Sequence, residues 1–188
     1  VQTGEYGNNV GQIKLTVDLA TKRVTSYSSR VVARSTATSA ALIAQYPVLA
    51  QVKSTVDAAL AHAADVGNQP VGSITGDITT AFANGSRDDR ASESTLGDLV
   101  GNALRDGIPA ELGHADLGIV NPGGLRADLT YAGNTATGGP QNTDGVVTYA
   151  EANAVLPFVN NIWLVDLTGA ELRQVLEQQW QPAGASRP

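Results

Sequence analysis

Apolar residues alternate with polar ones early in the chain. Ile13, Leu15, Val17 and Leu19 fall on one side, and Lys14, Thr16 and Asp18 on the other, which is the period of a strand. Ala20 to Lys22 reads as a turn, and Val24 and Tyr27 as part of a returning strand. A lone hairpin is marginal, so this one is expected to join a larger sheet. Residues 28–40, rich in Ser, Thr, Arg and Ala, read as a connector. From about Pro47 to Val66 the period changes to that of a helix, with Val48, Val52, Val56, Ala59, Leu60 and Ala63 as its stripe. Pro47 suits the first turn and Gly67 the residue past the end.

Further on, the pattern predicts a short strand near Val71 to Ile78. A polar loop follows from Asn84 to Arg90, and then a helix from about Glu93 to Arg105 with Leu96, Leu99, Val100, Ala103 and Leu104 on one face. Ser92 or Ser94 would cap that helix. Leu117-Gly118-Ile119-Val120 reads as a buried strand, and Gly-rich residues 132–145 as a long mobile loop. Two capping-box patterns follow. Thr148 with Glu151 opens a short helix ending before Pro157, and Thr168 with Glu171 opens a longer one with Leu172, Val175 and Leu176 inward. Residues 162–167 between them alternate on both sides and read as a strand covered on most of both faces. The sum is a mixed α/β (α+β) chain with no internal repeat.

Composition narrows the function. The 188 residues, 42% of them hydrophobic, suit one ordinary domain or two small ones. A net charge of −6 argues against a nucleic-acid polymer as partner, while a single nucleotide needs only a few local cations. No apolar run is long enough for a membrane span. Cysteine is absent, so disulfides and thiolate metal sites are excluded. Methionine is absent too, even at position 1, so the chain reads as a processed product, a fragment or a trimmed piece, without a signal peptide at its start. The two histidines, His62 and His114, do not form an HxH or HExxH spacing, and neither a G-x-S-x-G elbow nor a P-loop occurs. His62 reads as a packing or surface histidine. No catalytic residue and no metal ligand are therefore assigned.

The chemistry concentrates in Asn121-Pro122-Gly123-Gly124-Leu125-Arg126. A Gly-rich turn after a strand exposes backbone N–H groups with no Cβ in the way, so an anion or a flat ring can lie close. Asn121 adds an amide and Arg126 a planar, permanent charge suited to phosphate or carboxylate. The plainer reading is a tight turn with one solvated Arg.

Four motifs occur in order: Glu93-Ser94-Thr95-Leu96-Gly97-Asp98, the 121–126 turn, Leu156-Pro157-Phe158, and Val165-Asp166-Leu167-Thr168-Gly169. Together they resemble the C-terminal domain of the 5′-nucleotidase family, which includes UDP-sugar hydrolases and 2′,3′-cyclic-nucleotide phosphodiesterases. The match covers roughly residues 70–180. Residues 1–35 look like closing strands of that family's metallophosphoesterase domain. Residues 36–68 would be a connector and interdomain helix, and 69–188 an incomplete substrate-binding domain.

The resemblance implies a secreted, periplasmic or cell-surface hydrolase. Its missing metallophosphoesterase domain holds two divalent metal ions, and this chain holds none. The present part would bind a nucleotide or nucleoside. Asn121 would contact the base, Gly123 and Gly124 would belong to the same substrate-binding turn, Arg126 would hold the phosphate or carboxylate-like end, and Phe158 would be one of two aromatic plates around the base. Arg90 is a second candidate cation, and Arg87 a weaker one. The departures are Thr95, which stands where some members carry a substrate-binding Arg, Pro122 in place of the commoner Gly, and the absence of the second aromatic. Phe158 as core and Asn121 as a mere turn cap remain open, and Trp163 and Trp180 read as packing residues. The alternatives for the whole chain are a stand-alone, non-catalytic nucleotide-binding module, a relative acting on a non-nucleotide substrate, and a purely structural role.

Overall fold

The structure is a computed structural model that describes residues 2–180. The chain forms two compact units, Val1–Leu60 and Ala61–Pro188.

In the first unit the alternating segment forms an antiparallel hairpin, β1 (Asn9–Asp18) and β2 (Arg23–Ala33), with a register irregularity at Thr16/Val17. Asp18 accepts the Ala20 and Thr21 amides at 2.8 and 3.2 Å and fixes the turn. These bonds hold its carboxyl below the usual carboxylate range. β2 runs further than the pattern indicated and takes in residues 28–33 of the expected connector. At the end of the connector a short helix begins, α1 (Ser39–Gln45), whose Thr38 cap accepts from the Ala41 amide. No described residue of this unit is buried.

The long helix α2 (Leu49–Gly67) starts two residues beyond Pro47, and its stripe stays exposed at Val52, Val56 and Leu60. Only Gly67 of this helix is buried, against the Ala150 side chain.

The second unit holds the core. β3 (Pro70–Ser73) pairs antiparallel with β6 (Val146–Thr148), and Ile78 bridges to Leu129. Between them in sequence stand the two-residue strands β4 (Phe82–Ala83) and β5 (Ser86–Arg87), followed by helix α3 (Thr95–Asp106). Ser94 caps α3 by accepting the Gly97 amide at 3.1 Å. Asp98 in the first turn and Arg105 in the last suit the helix dipole. Leu96 and Val100 sink its inner face into a cluster with Leu125, Leu129, Val147 and Val155. Leu99, expected on that face, is exposed.

Asn84 to Arg90 is not a plain solvated loop. Asn84 and Gly85, at φ 52° and 76°, form the two-residue turn of the β4–β5 hairpin. Residues 132–145 are organised too. The Asn142 side chain is buried, accepts the Asn134 amide and donates to Glu151 at 2.9 Å.

The largest departure concerns two apolar runs. Residues 115–120 and 162–167 are not strands, and most of their apolar side chains are open, Ile119 at 65% and Trp163 at 83% exposure. The chain makes no backbone hydrogen bond from 114–120 or 156–167 to another described residue. Their composition suits a covered sheet, but among the described residues nothing pairs with them. Trp163 and Trp180 are therefore exposed, not packed.

Both capping boxes form. Thr148 opens α4 (Tyr149–Val155) and Thr168 opens α5 (Gly169–Glu177). Val175 and Leu176 of α5, expected inward, are exposed. In each box the Glu accepts the cap amide at 2.8 Å. The two differ in burial: Thr148 is fully buried and Thr168 exposed. Thr148→Ala is therefore expected to cost about 1–2 kcal/mol, near the top of the range for caps, and Thr168→Ala about 0.5–1 kcal/mol. Chemical denaturation of the two variants side by side measures the difference. Equal losses would show that burial adds nothing to the box.

Candidate nucleotide-binding corner

The turn at 121–126 is a single 3-10 turn, Pro122–Gly124, and Pro122 fits its first position, where no N–H is needed. Asn121 Oδ1 accepts the Gly123 amide at 2.9 Å, and its carbonyl accepts the Gly124 amide at 2.8 Å. The Leu125 amide closes on the Pro122 carbonyl at 3.1 Å. The expectation of free backbone donors is thus corrected, because the turn spends its own N–H groups on itself. Its ligand-facing chemistry lies in side chains. Among the described residues the Asn121 amide nitrogen has no partner for its two donors.

Three strands of chain meet here. The Arg126 amide donates to the Val155 carbonyl at 2.9 Å, tying the turn to the end of α4. Three residues after Val155 comes Phe158, with 57% of its surface exposed. The Arg126 guanidinium carbon lies 5.8 Å from the Phe158 ring centroid, within cation–π range. Arg126 Nη1 also donates to the Gly123 carbonyl at 3.3 Å. The third contribution is Arg90, from beyond the β4–β5 hairpin. Its guanidinium rests on Gly123, where a Cβ would stand 2.9 Å from Nη1. A side chain at 123 would push the guanidinium aside. Gly124 has no neighbour within 4 Å of a would-be Cβ. The structure therefore brings Arg90, Asn121, Gly123, Arg126 and Phe158 together, with Gly124 facing open space.

What holds the hairpin in place is a cluster that the sequence reading missed. Asp128 Oδ1 accepts the Thr80 amide at 2.8 Å and the Thr80 hydroxyl at 3.1 Å. Asp128 Oδ2 accepts Arg87 Nε at 2.8 Å, and Arg87 Nη2 donates to the Leu125 carbonyl at 3.1 Å. Burial pushes the Asp128 carboxyl up, but Arg87 and Thr80 outweigh it and hold it below its ordinary value. Arg87 is thereby committed to the frame through Nε and Nη2. Thr95 is committed as well. Its hydroxyl accepts the Thr79 amide at 3.1 Å and donates to the Thr79 carbonyl at 3.3 Å.

An open groove of about 500 Å³ lies elsewhere, between α3 and residues 116–120. It has no aromatic plate, and its Arg105 is taken up by Asp106 at 2.6 Å. The corner, with a cation over an exposed ring, is the better candidate site. Among the described residues no three His, Asp, Glu or Cys side chains gather as metal ligands. No helix among them is long and apolar enough to cross a membrane.

The 5′-nucleotidase C-terminal domain family matches residues 66–187. The chain belongs to this family. Its curated relatives include the trifunctional nucleotide phosphoesterase YfkN of Bacillus subtilis, 32% identical over 61% of this chain and 7% of that protein. The cell wall protein Lmo0130 of Listeria monocytogenes is 32% identical over 60% of this chain and 14% of its own length. The 5′-nucleotidase of Rattus norvegicus is 27% identical over 99% of this chain and 29% of its own. The chain thus spans less than a third of the length of each of these relatives. No solved structure matches it.

Proposed function

We propose that this chain supplies nucleoside recognition to a metal-dependent nucleotide phosphohydrolase of the 5′-nucleotidase or 2′,3′-cyclic phosphodiesterase type, working outside the cytoplasm. The observation that carries this is the Arg126–Phe158 pair beside Asn121. An exposed ring can stack a base, and the cation next to it can take a phosphate. Support for the wider reading comes from nucleotide-hydrolysing relatives and from the rat enzyme's similarity across nearly the whole chain. On this reading residues 1–35 close the strands of a metallophosphoesterase domain, and 36–68 connect it to the binding domain. A cell-wall relative favours a surface or exported location.

The described residues do not offer a donor set for divalent metals, so no hydrolytic step is assigned to them. Their part is to hold the base and orient the phosphate end.

Calorimetric titration of AMP and adenosine tests this reading. Arg126→Ala is expected to weaken AMP by about 1.5–3 kcal/mol, the worth of a hydrogen bond to a charged group, and adenosine far less. Equal losses for both ligands would mean that Arg126 supports only the turn. Absence of any nucleoside binding to the unmodified chain would overturn the assignment.

A further inference from the structure

The two cations of the corner are not equivalent. Among the described residues Arg126 has no carboxylate partner, and its one side-chain hydrogen bond there goes to a backbone carbonyl. Arg90 is held by Asp88, whose Oδ2 accepts Nε at 2.8 Å and lies 2.8 Å from Nη2 in an ion pair. Asp88 itself is locked. Its backbone stands at φ 76°, and its amide donates to the Ala81 carbonyl at 3.1 Å. Its side chain is only 21% exposed, against 54% for Arg90. A locked carboxylate therefore sits beside the one guanidinium that covers Gly123.

We infer that Asp88 is a specificity-determining residue: by occupying Arg90 it makes the Arg90 side of the corner select neutral hydroxyl groups and leaves Arg126 to take the anionic group. This rests on the nucleotide reading of the corner. An anion placed at Arg90 has to displace Asp88 or face it at close range, and either lowers its affinity. A sugar hydroxyl meets no such penalty, because the pair presents donors and an acceptor side by side. The ligand class that fits is a nucleoside carrying a single charged group, with its sugar toward Arg90 and its charge toward Arg126.

Asp88→Asn is the direct test. Asparagine tolerates the positive φ and keeps the shape, so the hairpin should persist. AMP, adenosine and inorganic phosphate are titrated by NMR against the unmodified chain, Asp88→Asn and Asp89→Asn. Asp89 bonds Ser92 and the Ala91 amide, not Arg90, and its variant removes the same charge from the same loop. The expected result is a gain of roughly two- to fivefold for AMP and for phosphate in Asp88→Asn, with adenosine unchanged or weaker and Asp89→Asn showing a smaller gain. A gain shared equally by adenosine, or matched by Asp89→Asn, would overturn the inference while leaving the nucleotide corner intact. An unchanged AMP affinity in Asp88→Asn would overturn it in the same way. If neither the unmodified chain nor Asp88→Asn binds any of the three, both this inference and the nucleotide reading fall.

Discussion

Asp128→Ala is expected to destabilise the second unit by about 2–4 kcal/mol, since it leaves a largely buried guanidinium and the Thr80 amide without their acceptor. Asp128 is 13% exposed and Arg87 31%, so the loss should fall somewhat short of that for a fully buried pair. Asp128→Asn keeps an oxygen for Thr80 but removes the charge, and should cost less. The pH dependence carries a sign. The folded carboxyl ionises more easily than the unfolded one, so its stabilisation is complete above the ordinary carboxylate range and is lost as pH falls through the lower, folded value. Urea midpoints of the unmodified chain and Asp128→Asn should therefore converge in acid. A gap that persists unchanged there would mean the residue matters for packing and not for charge. Because Arg87 also grips the Leu125 carbonyl, loosening this cluster should unsettle the seat of Arg90 as well as the fold.

The second large effect concerns the ring. Phe158→Ala should lower affinity for adenosine and AMP alike, by about 1–3 kcal/mol, or roughly 5- to 150-fold. Stability should change little, because the ring is mostly exposed. This profile is the opposite of the one expected for Arg126→Ala, which separates the two ligands. Phe158→Tyr should restore most of the loss, since a phenol stacks as well as a phenyl ring. A variant that unfolds more easily yet binds normally would return Phe158 to the role of a packing residue.

Local signals were legible where local chemistry decides. Ser94, Thr148 and Thr168 cap the helices they should, because a cap needs only residues a turn away. The Asn84-Gly85 turn was equally local, but the charged residues after it drew the reading toward a solvated loop. The Arg87–Asp128 pair has no local signal at all, since its members stand 41 positions apart. Arg126 and Phe158 were linked through the family resemblance, and their juxtaposition is a product of the Arg126–Val155 backbone bond. The apolar runs at 115–120 and 162–167 have the composition of buried strands. Period alone cannot say whether a partner strand is present to bury them.

Those two runs have a practical consequence. An extended segment with free N–H and C=O groups and alternating large apolar side chains is a template for any other chain that can lie along it. Leu164 lies near Gly113, just before the first run. Each run carries a single charge of its own, Asp116 in the first and Asp166 in the second. Handled by itself at high concentration, this chain is therefore set up to associate edge to edge, and mild chaotropes or a fused solubilising partner would keep it workable.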